Sequence, residues 1–294
     1  YGDAFLVMHR NRVVFERYLN GMAPETLHLS QSVAKSVVGL LTGIFVSDGT
    51  VDLDVPLADI VPELTQCGYA DATLDQVLDM RSGVRFTEDY NLSGSDMTRI
   101  DIASGWRPRV ASAPRPTIRE VILSLPKHRP HGGAFEYRSI ETDVVAWVLE
   151  RAAGKSLAEL VSQYLWQPIG ADRDAYFTVD EAGTALADGG FNATLRDYAR
   201  LGMLTLNNGR AGGQQVIEHG EAVGRKLLRD IEAAGVEQDR RVELQLGSVV
   251  LGVRDAHQVG QRAVERDVDI DHPRSLRRPP GQSEIACAER DVDE

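Results

Sequence analysis

Ser32 and Lys35 stand three residues apart in "SQSVAKSVVGLLTGIFVSDG". On a helix that spacing puts both side chains on one face. The lysine amine then reaches the serine hydroxyl. A free serine is a weak nucleophile at neutral pH and needs a base beside it. An amine serves as that base when desolvation favours its neutral form. The backbone N–H of a serine at the first turn is not used within the helix, and the helix dipole helps it stabilise an oxyanion. Tyr137-Arg138-Ser139 is a Y-x-S triplet after the turn "HGG". A phenol beside an ammonium can pass a proton to a leaving group. Together these residue types suit acyl transfer through a serine ester.

Spacing alone leaves other readings open. S-x-x-K arises about once by chance in a chain of this length. Ser124-Leu125-Pro126-Lys127 is such a coincidence, because Pro126 breaks the helical geometry. Ser32 is equally placed to be a plain helix N-cap, the commonest role of a serine there. Tyr137 is equally placed to be a packing tyrosine, and Tyr18-Leu19-Asn20 repeats its pattern in a strand. Lys35 weighs on the other side. A lysine in an otherwise apolar helix is costly unless it has a partner or a job. Rival chemistries find less support. There is no G-x-S-x-G elbow and no glycine-rich phosphate loop. His128 and His131 have H-x-x-H spacing, but Arg129-Pro130 lies between them and no carboxylate motif frames the pair. No metal ligand is assigned, and no cofactor is implied.

The elements that must position these residues follow from the pattern. "AFLVMHRNRVVFERYLNG" reads as two strands around a tight Arg10-Asn11-Arg12 turn. Val33, Val37, Val38, Leu40, Leu41, Ile44 and Phe45 cover nearly every face of a helix, which predicts burial. Gly49 follows as a left-handed cap. Residues 51–185 read as short helices and loops. Thr73-x-x-Gln76 and Ser156-x-x-Glu159 are capping boxes. Ser139 is placed to cap a helix that stops at Gly154. Thr194-x-x-Asp197 opens a last helix, up to about Leu206.

Bulk properties narrow the partners. The 294 residues carry a net charge of −12, which argues against nucleic acid. No stretch approaches the roughly 20 apolar residues needed to cross a bilayer. Cys67 and Cys287 make no disulfide framework and read as two free thiols. The chain begins at Tyr1 with no signal segment, which suggests a fragment or a processed chain and leaves compartment and oligomeric state open. Past Ile217 the character changes. Residues 218–294 hold no aromatic residue, while 29 of those 77 are Asp, Glu, Lys or Arg. That composition leans towards disorder, or towards closing strands read in a shifted frame.

Four segments carry a family resemblance. They are "SQSVAKSVVGLLTGIFVSDGTVDLDVPLADIVPEL", "TLDQVLDMRSGVRFTEDY", "FEYRSIETDVVAWVLERAAGKSLAELV" and "DGGFNATLRDYARLGMLTLNNGR". In this order they resemble the serine β-lactamase and penicillin-binding-protein superfamily, closest to its carboxylesterase and 6-aminohexanoate-dimer hydrolase branch. The resemblance covers roughly residues 4–217. It implies an α/β (α+β) fold, an antiparallel sheet flanked by helices with an inserted helical domain. Residues 1–50 and 186–217 would form the sheet-and-helix part, 51–185 the insert, and 218–294 an atypical tail. The resemblance also implies roles. Ser32 matches the acylated nucleophile, Lys35 its general base and Tyr137 the proton shuttle. Tyr90, in "TEDYN", resembles a loop tyrosine that closes over an amide substrate.

The departure matters as well. The superfamily's third motif, a K-T-G or H-x-G-like stretch on a late strand, has no counterpart in "AHQVGQRAVERDVDIDHPRSLRRPPGQ". The expected function is therefore hydrolysis of small esters or amides. The alternatives are a β-lactam or D-alanyl peptide hydrolase, and an inactive member whose tail cannot complete the site.

Overall fold

Leu6 and Met8 alternate with Phe5 and Val7, so one face of the first strand turns inward. The computed structural model describes residues 2–108 and 114–217, and the backbone of two later segments, 248–252 and 286–288. Strands β1 (Ala4–His9) and β2 (Arg12–Tyr18) pair antiparallel. The loop between them is the two residues Arg10 and Asn11, at φ 49° and 64°. Two successive positive φ values match the twist of a hairpin. A short β3 (His28–Leu29) leads into α1 (Val33–Ser47).

The helices that follow are α2 (Leu57–Ile60), a 3₁₀ turn at Pro62–Gln66, α3 (Leu74–Leu78), α4 (Asp96–Ala103) and α5 (Ile118–Leu123). Then come α6 (Ile140–Ala153), α7 (Leu157–Val161) and a π turn at Ser162–Trp166. Strands β4 (Tyr176–Thr178) and β5 (Phe191–Ala193) precede α8 (Leu195–Leu206). A small hairpin of β6 (Arg210–Ala211) and β7 (Gln214–Gln215) follows. The late backbone segments are β8 (Ser248–Gly252) and β9 (Ala286–Ala288).

One sheet has the order β2-β1-β8, all antiparallel. The other has the order β3-β5-β4-β9, in which β9 joins in parallel. Apart from the backbone of β8 and β9, the tail from residue 218 onward lies outside the described residues, and so does the expectation of disorder or a shifted frame.

Both capping boxes form as expected, and a third at Thr117 and Glu120 starts α5. Gly154 ends α6 at φ 67°. Ser139 departs from expectation: it heads α6 but makes no side-chain cap bond, because its hydroxyl is spent on Glu88. Val33 departs too. It is 51% exposed, while Val37, Val38, Leu41 and Phe45 are buried as expected.

Helix α6 is buried along Ile140–Leu149 and packs against α1. Burying Val144 and Val148 completely contributes about 1.5–3 kcal/mol each. This packing fixes the start of α6 relative to the start of α1. The residues of interest sit at those two starts.

Candidate active site

Ser32 is the residue just before α1, reached from β3 through Ser30 and Gln31. The Ser30 N–H donates to the Phe191 carbonyl at 2.8 Å, which ties this turn to β5. Gln31 sits at φ 50°, a left-handed conformation that costs an L-residue about 1–2 kcal/mol. The turn delivers Ser32 to the protein surface with an exposed side chain. Ser32 is not a plain cap, since its hydroxyl makes no cap bond to the helix.

Instead the hydroxyl faces two other groups. Lys35 Nζ lies 3.3 Å from Ser32 Oγ. Tyr137 Oη donates to the same oxygen at 2.9 Å. Lys35 Nζ also donates to the Asp188 carbonyl at 2.7 Å and lies 5.4 Å from the centre of the Tyr137 ring. The N–H groups of Val33, Ala34 and Lys35 turn back to the carbonyls of Ser30, Gln31 and Ser32. Among the described residues no carbonyl accepts the Ser32 N–H.

Tyr137 is set by the residue after it. Arg138 is 1% exposed and pairs with Glu141 at 3.2 Å and with Glu136. Its guanidinium also donates to the Ser82 carbonyl at 3.2 Å. Arg81 holds the preceding turn by donating to the carbonyls of Gly132 and Gly133. Burial pushes the Glu141 carboxyl up to about 7, although the Ser82 hydroxyl and Arg138 oppose that shift.

Tyr90 sits in the loop before α4 and is 48% exposed. Its hydroxyl donates to Glu88 Oε1 at 2.6 Å. The same carboxylate accepts the Ser139 N–H at 2.8 Å and the Ser139 hydroxyl at 2.6 Å. Glu88 therefore joins the Tyr90 loop to the Tyr137-Arg138-Ser139 triplet. Burial and the Glu88 hydrogen bond raise the Tyr90 phenol above its ordinary value. Arg107, paired with Asp101 at 2.6 Å, donates to the Tyr90 carbonyl at 2.5 Å.

The structure thus brings Ser32, Lys35 and Tyr137 together and places Tyr90 one carboxylate away from the triplet. The other motifs fall elsewhere. Ser124 bonds to Arg99 and the Val121 carbonyl, while Lys127 pairs with Asp71. His131 takes the Gly83 N–H at 2.8 Å on Nδ1 and faces Asp71 at 3.2 Å through Nε2, so both ring nitrogens hold the loop. Cys67 forms no disulfide among the described residues. Among the described residues no group of three or more His, Cys, Asp or Glu is arranged to hold a metal ion. Among them, too, no helix is long and apolar enough to cross a membrane.

Sequence reasoning missed Glu88, Asp143 and Asp188. Asp143, on α6, is 4% exposed and accepts the N–H groups of Ala187 and Asp188. Asp188 carries the carbonyl that takes Lys35, and a long stretch of chain separates it from that lysine. The only local signal was "DGG". A Cβ on Gly190 would fall 2.4 Å from Thr178 Oγ1 and 2.7 Å from the Leu186 carbonyl, so this turn demands glycine.

A mixed helix-and-sheet fold that presents a serine at a helix start, flanked by lysine and tyrosine, is the class that the geometry defines. Within that class the chain belongs to the Beta-lactamase family, whose family model matches residues 1–245. That match runs past Ile217, beyond the segments that carry the resemblance in the sequence. A 6-aminohexanoate-dimer hydrolase of Paenarthrobacter ureafaciens is 40% identical over 217 residues, covering 73% of this chain and 54% of that protein. A solved Bacillus anthracis protein, described as a candidate 6-aminohexanoate-dimer hydrolase, superposes with a TM-score of 0.70 at 32% identity. That alignment covers 76% of this chain and 58% of the other. A family VIII carboxylesterase shares the fold, with a TM-score of 0.56 at 17% identity over 77% of this chain and 69% of its own. The chain spans little more than half the length of the two hydrolase relatives.

Proposed function

We propose that the chain is a serine hydrolase that cleaves small esters or amides through an acyl-enzyme. One observation carries this reading: Ser32 Oγ lies 3.3 Å from Lys35 Nζ and 2.9 Å from Tyr137 Oη. Ser32 Oγ attacks the substrate carbonyl carbon. Lys35, in its neutral form, takes the hydroxyl proton along the same 3.3 Å line. The Ser32 N–H, aided by the helix dipole, faces the charge that develops on the carbonyl oxygen. Tyr137 delivers a proton to the departing alcohol or amine, and water then releases the acyl group. Tyr90, exposed and joined through Glu88 to the Tyr137 segment, packs its ring on the substrate chain.

A small linear amide is the favoured substrate, because the 40% identical relative bears the name 6-aminohexanoate-dimer hydrolase. The test runs three substrates side by side: a p-nitrophenyl ester, the linear 6-aminohexanoate dimer and nitrocefin. The reading expects turnover of the first two, lost in Ser32→Ala. Nitrocefin cleavage with neither of the others would transfer the assignment to β-lactams. Absence of all three, with no fluorophosphonate label on Ser32, would make the chain a non-catalytic member.

A further inference from the structure

The Lys35 ammonium rests on the Asp188 carbonyl at 2.7 Å. That carbonyl belongs to a turn whose position is set from behind. Asp143 Oδ1 accepts the Ala187 N–H at 2.8 Å and the Asp188 N–H at 3.3 Å. Asp143 sits in the first turn of α6, five residues after Arg138, the anchor of the Tyr137 segment. The start of α6, with the residues just before it, therefore holds both partners of Ser32. It holds Tyr137 directly in sequence and Lys35 through the 187–188 turn.

The second carboxylate oxygen of Asp143 is buried and has no hydrogen-bond partner among the described residues. Burial raises the Asp143 carboxyl well above its ordinary value, with the Asp188 carboxylate adding to the shift, and raises Asp188 as well; the Lys35 cation opposes both. The groups facing this cation are Tyr137 from the loop before α6, Asp143 from α6, and Asp188 from the glycine turn. Glu88 and Asp101 act on Asp188 from further out.

We infer that Asp143 is a positioning residue for the Ser32 reaction. It fixes the 187–188 turn so that the Asp188 carbonyl holds Lys35 beside Ser32. This rests on the acyl-enzyme reading above. No hydrogen bond joins Asp143 to Ser32 among the described residues. Its burial and its two backbone acceptor bonds fit this role.

Two substitutions test this. Asp143→Asn keeps an oxygen that accepts the Ala187 N–H. Asp143→Ala removes it. With a p-nitrophenyl ester, Asp143→Ala should lower kcat about tenfold or more with KM within about twofold. Asp143→Asn should recover most of that loss. Should Asp143→Ala not fold, the carboxyl titration below decides the matter. An Asp143→Ala variant that keeps more than half the wild-type kcat overturns the inference, and so does an Asp143→Asn variant no faster than Asp143→Ala.

A second arm needs no turnover. Carboxyl NMR titration of the wild type and of Lys35→Met should show the Asp143 and Asp188 signals moving further up once the cation is gone. Coincident titrations there overturn the coupling. A wild type without esterase activity sinks the hydrolase reading and leaves this arm to decide the coupling separately.

Discussion

Tyr137 Oη donates to Ser32 Oγ at 2.9 Å although 105 residues separate them in the chain. The contact exists because α1 and α6 pack together and present their first turns side by side. Nothing local to either residue would bring it about. The buried Arg138, fixed by Glu136, Glu141 and the Ser82 carbonyl, holds the tyrosine to this position.

If Tyr137 carries a proton to the leaving group, Tyr137→Phe removes the carrier and leaves the ring. Turnover of a p-nitrophenyl ester should drop by about 10²–10⁴. The ring keeps its place over Lys35, so the unfolding midpoint in urea should barely move. A variant that retains a third of the wild-type rate would exclude the shuttle role.

Ser32→Ala should abolish turnover and abolish fluorophosphonate labelling. Because the hydroxyl caps nothing and is exposed, stability should stay within about 0.5 kcal/mol of the wild type. Peptide mapping checks the site directly. An adduct on Ser124 or on any other serine would remove Ser32 from the mechanism.

Lys35→Arg should fail nearly as badly as Lys35→Ala. Arginine keeps the charge but cannot act as a base at accessible pH. A Lys35→Arg variant that holds more than about a tenth of the rate has lost under 1.4 kcal/mol of transition-state stabilisation, and the base would then be another group.

Much of this site was legible in the sequence, and the reason is local. Ser32 and Lys35 share one helix face, so three-residue spacing alone brings them within 3.3 Å. The two expected capping boxes and the Gly154 stop depend on neighbours within one turn, and they form as read. Ser139 shows where that reasoning ends. Its type and position suit a cap, yet a carboxylate from a loop 51 residues earlier takes its hydroxyl. Val33 fits the apolar pattern of α1 but is exposed. Glu88, Asp143 and Asp188 carry no spacing signature, because each acts on a group far away in the chain.

Glu141 gives the protein a pH-dependent stability. Burial raises its carboxyl from 4.5 to about 7 in the folded protein. Between those values the folded protein keeps a proton that the unfolded chain has released. By linkage, this contribution is fully present below about pH 4.5 and is lost as pH rises through about 7. One such group changes the slope of stability against pH by at most about 1.4 kcal/mol per unit. Asp143 and Asp188 are also raised by burial and add slope of the same sign. Glu141→Gln retains an acceptor for the Ser82 hydroxyl but cannot titrate. Urea unfolding from pH 4.5 to 7.5 should therefore show the wild type losing stability more steeply than Glu141→Gln, by about 1 kcal/mol per unit near the midpoint. The loss must come from the folded protein's extra proton. Parallel curves for the two proteins would mean that Glu141 is already ionised against Arg138 across this range, and that the ion pair outweighs burial.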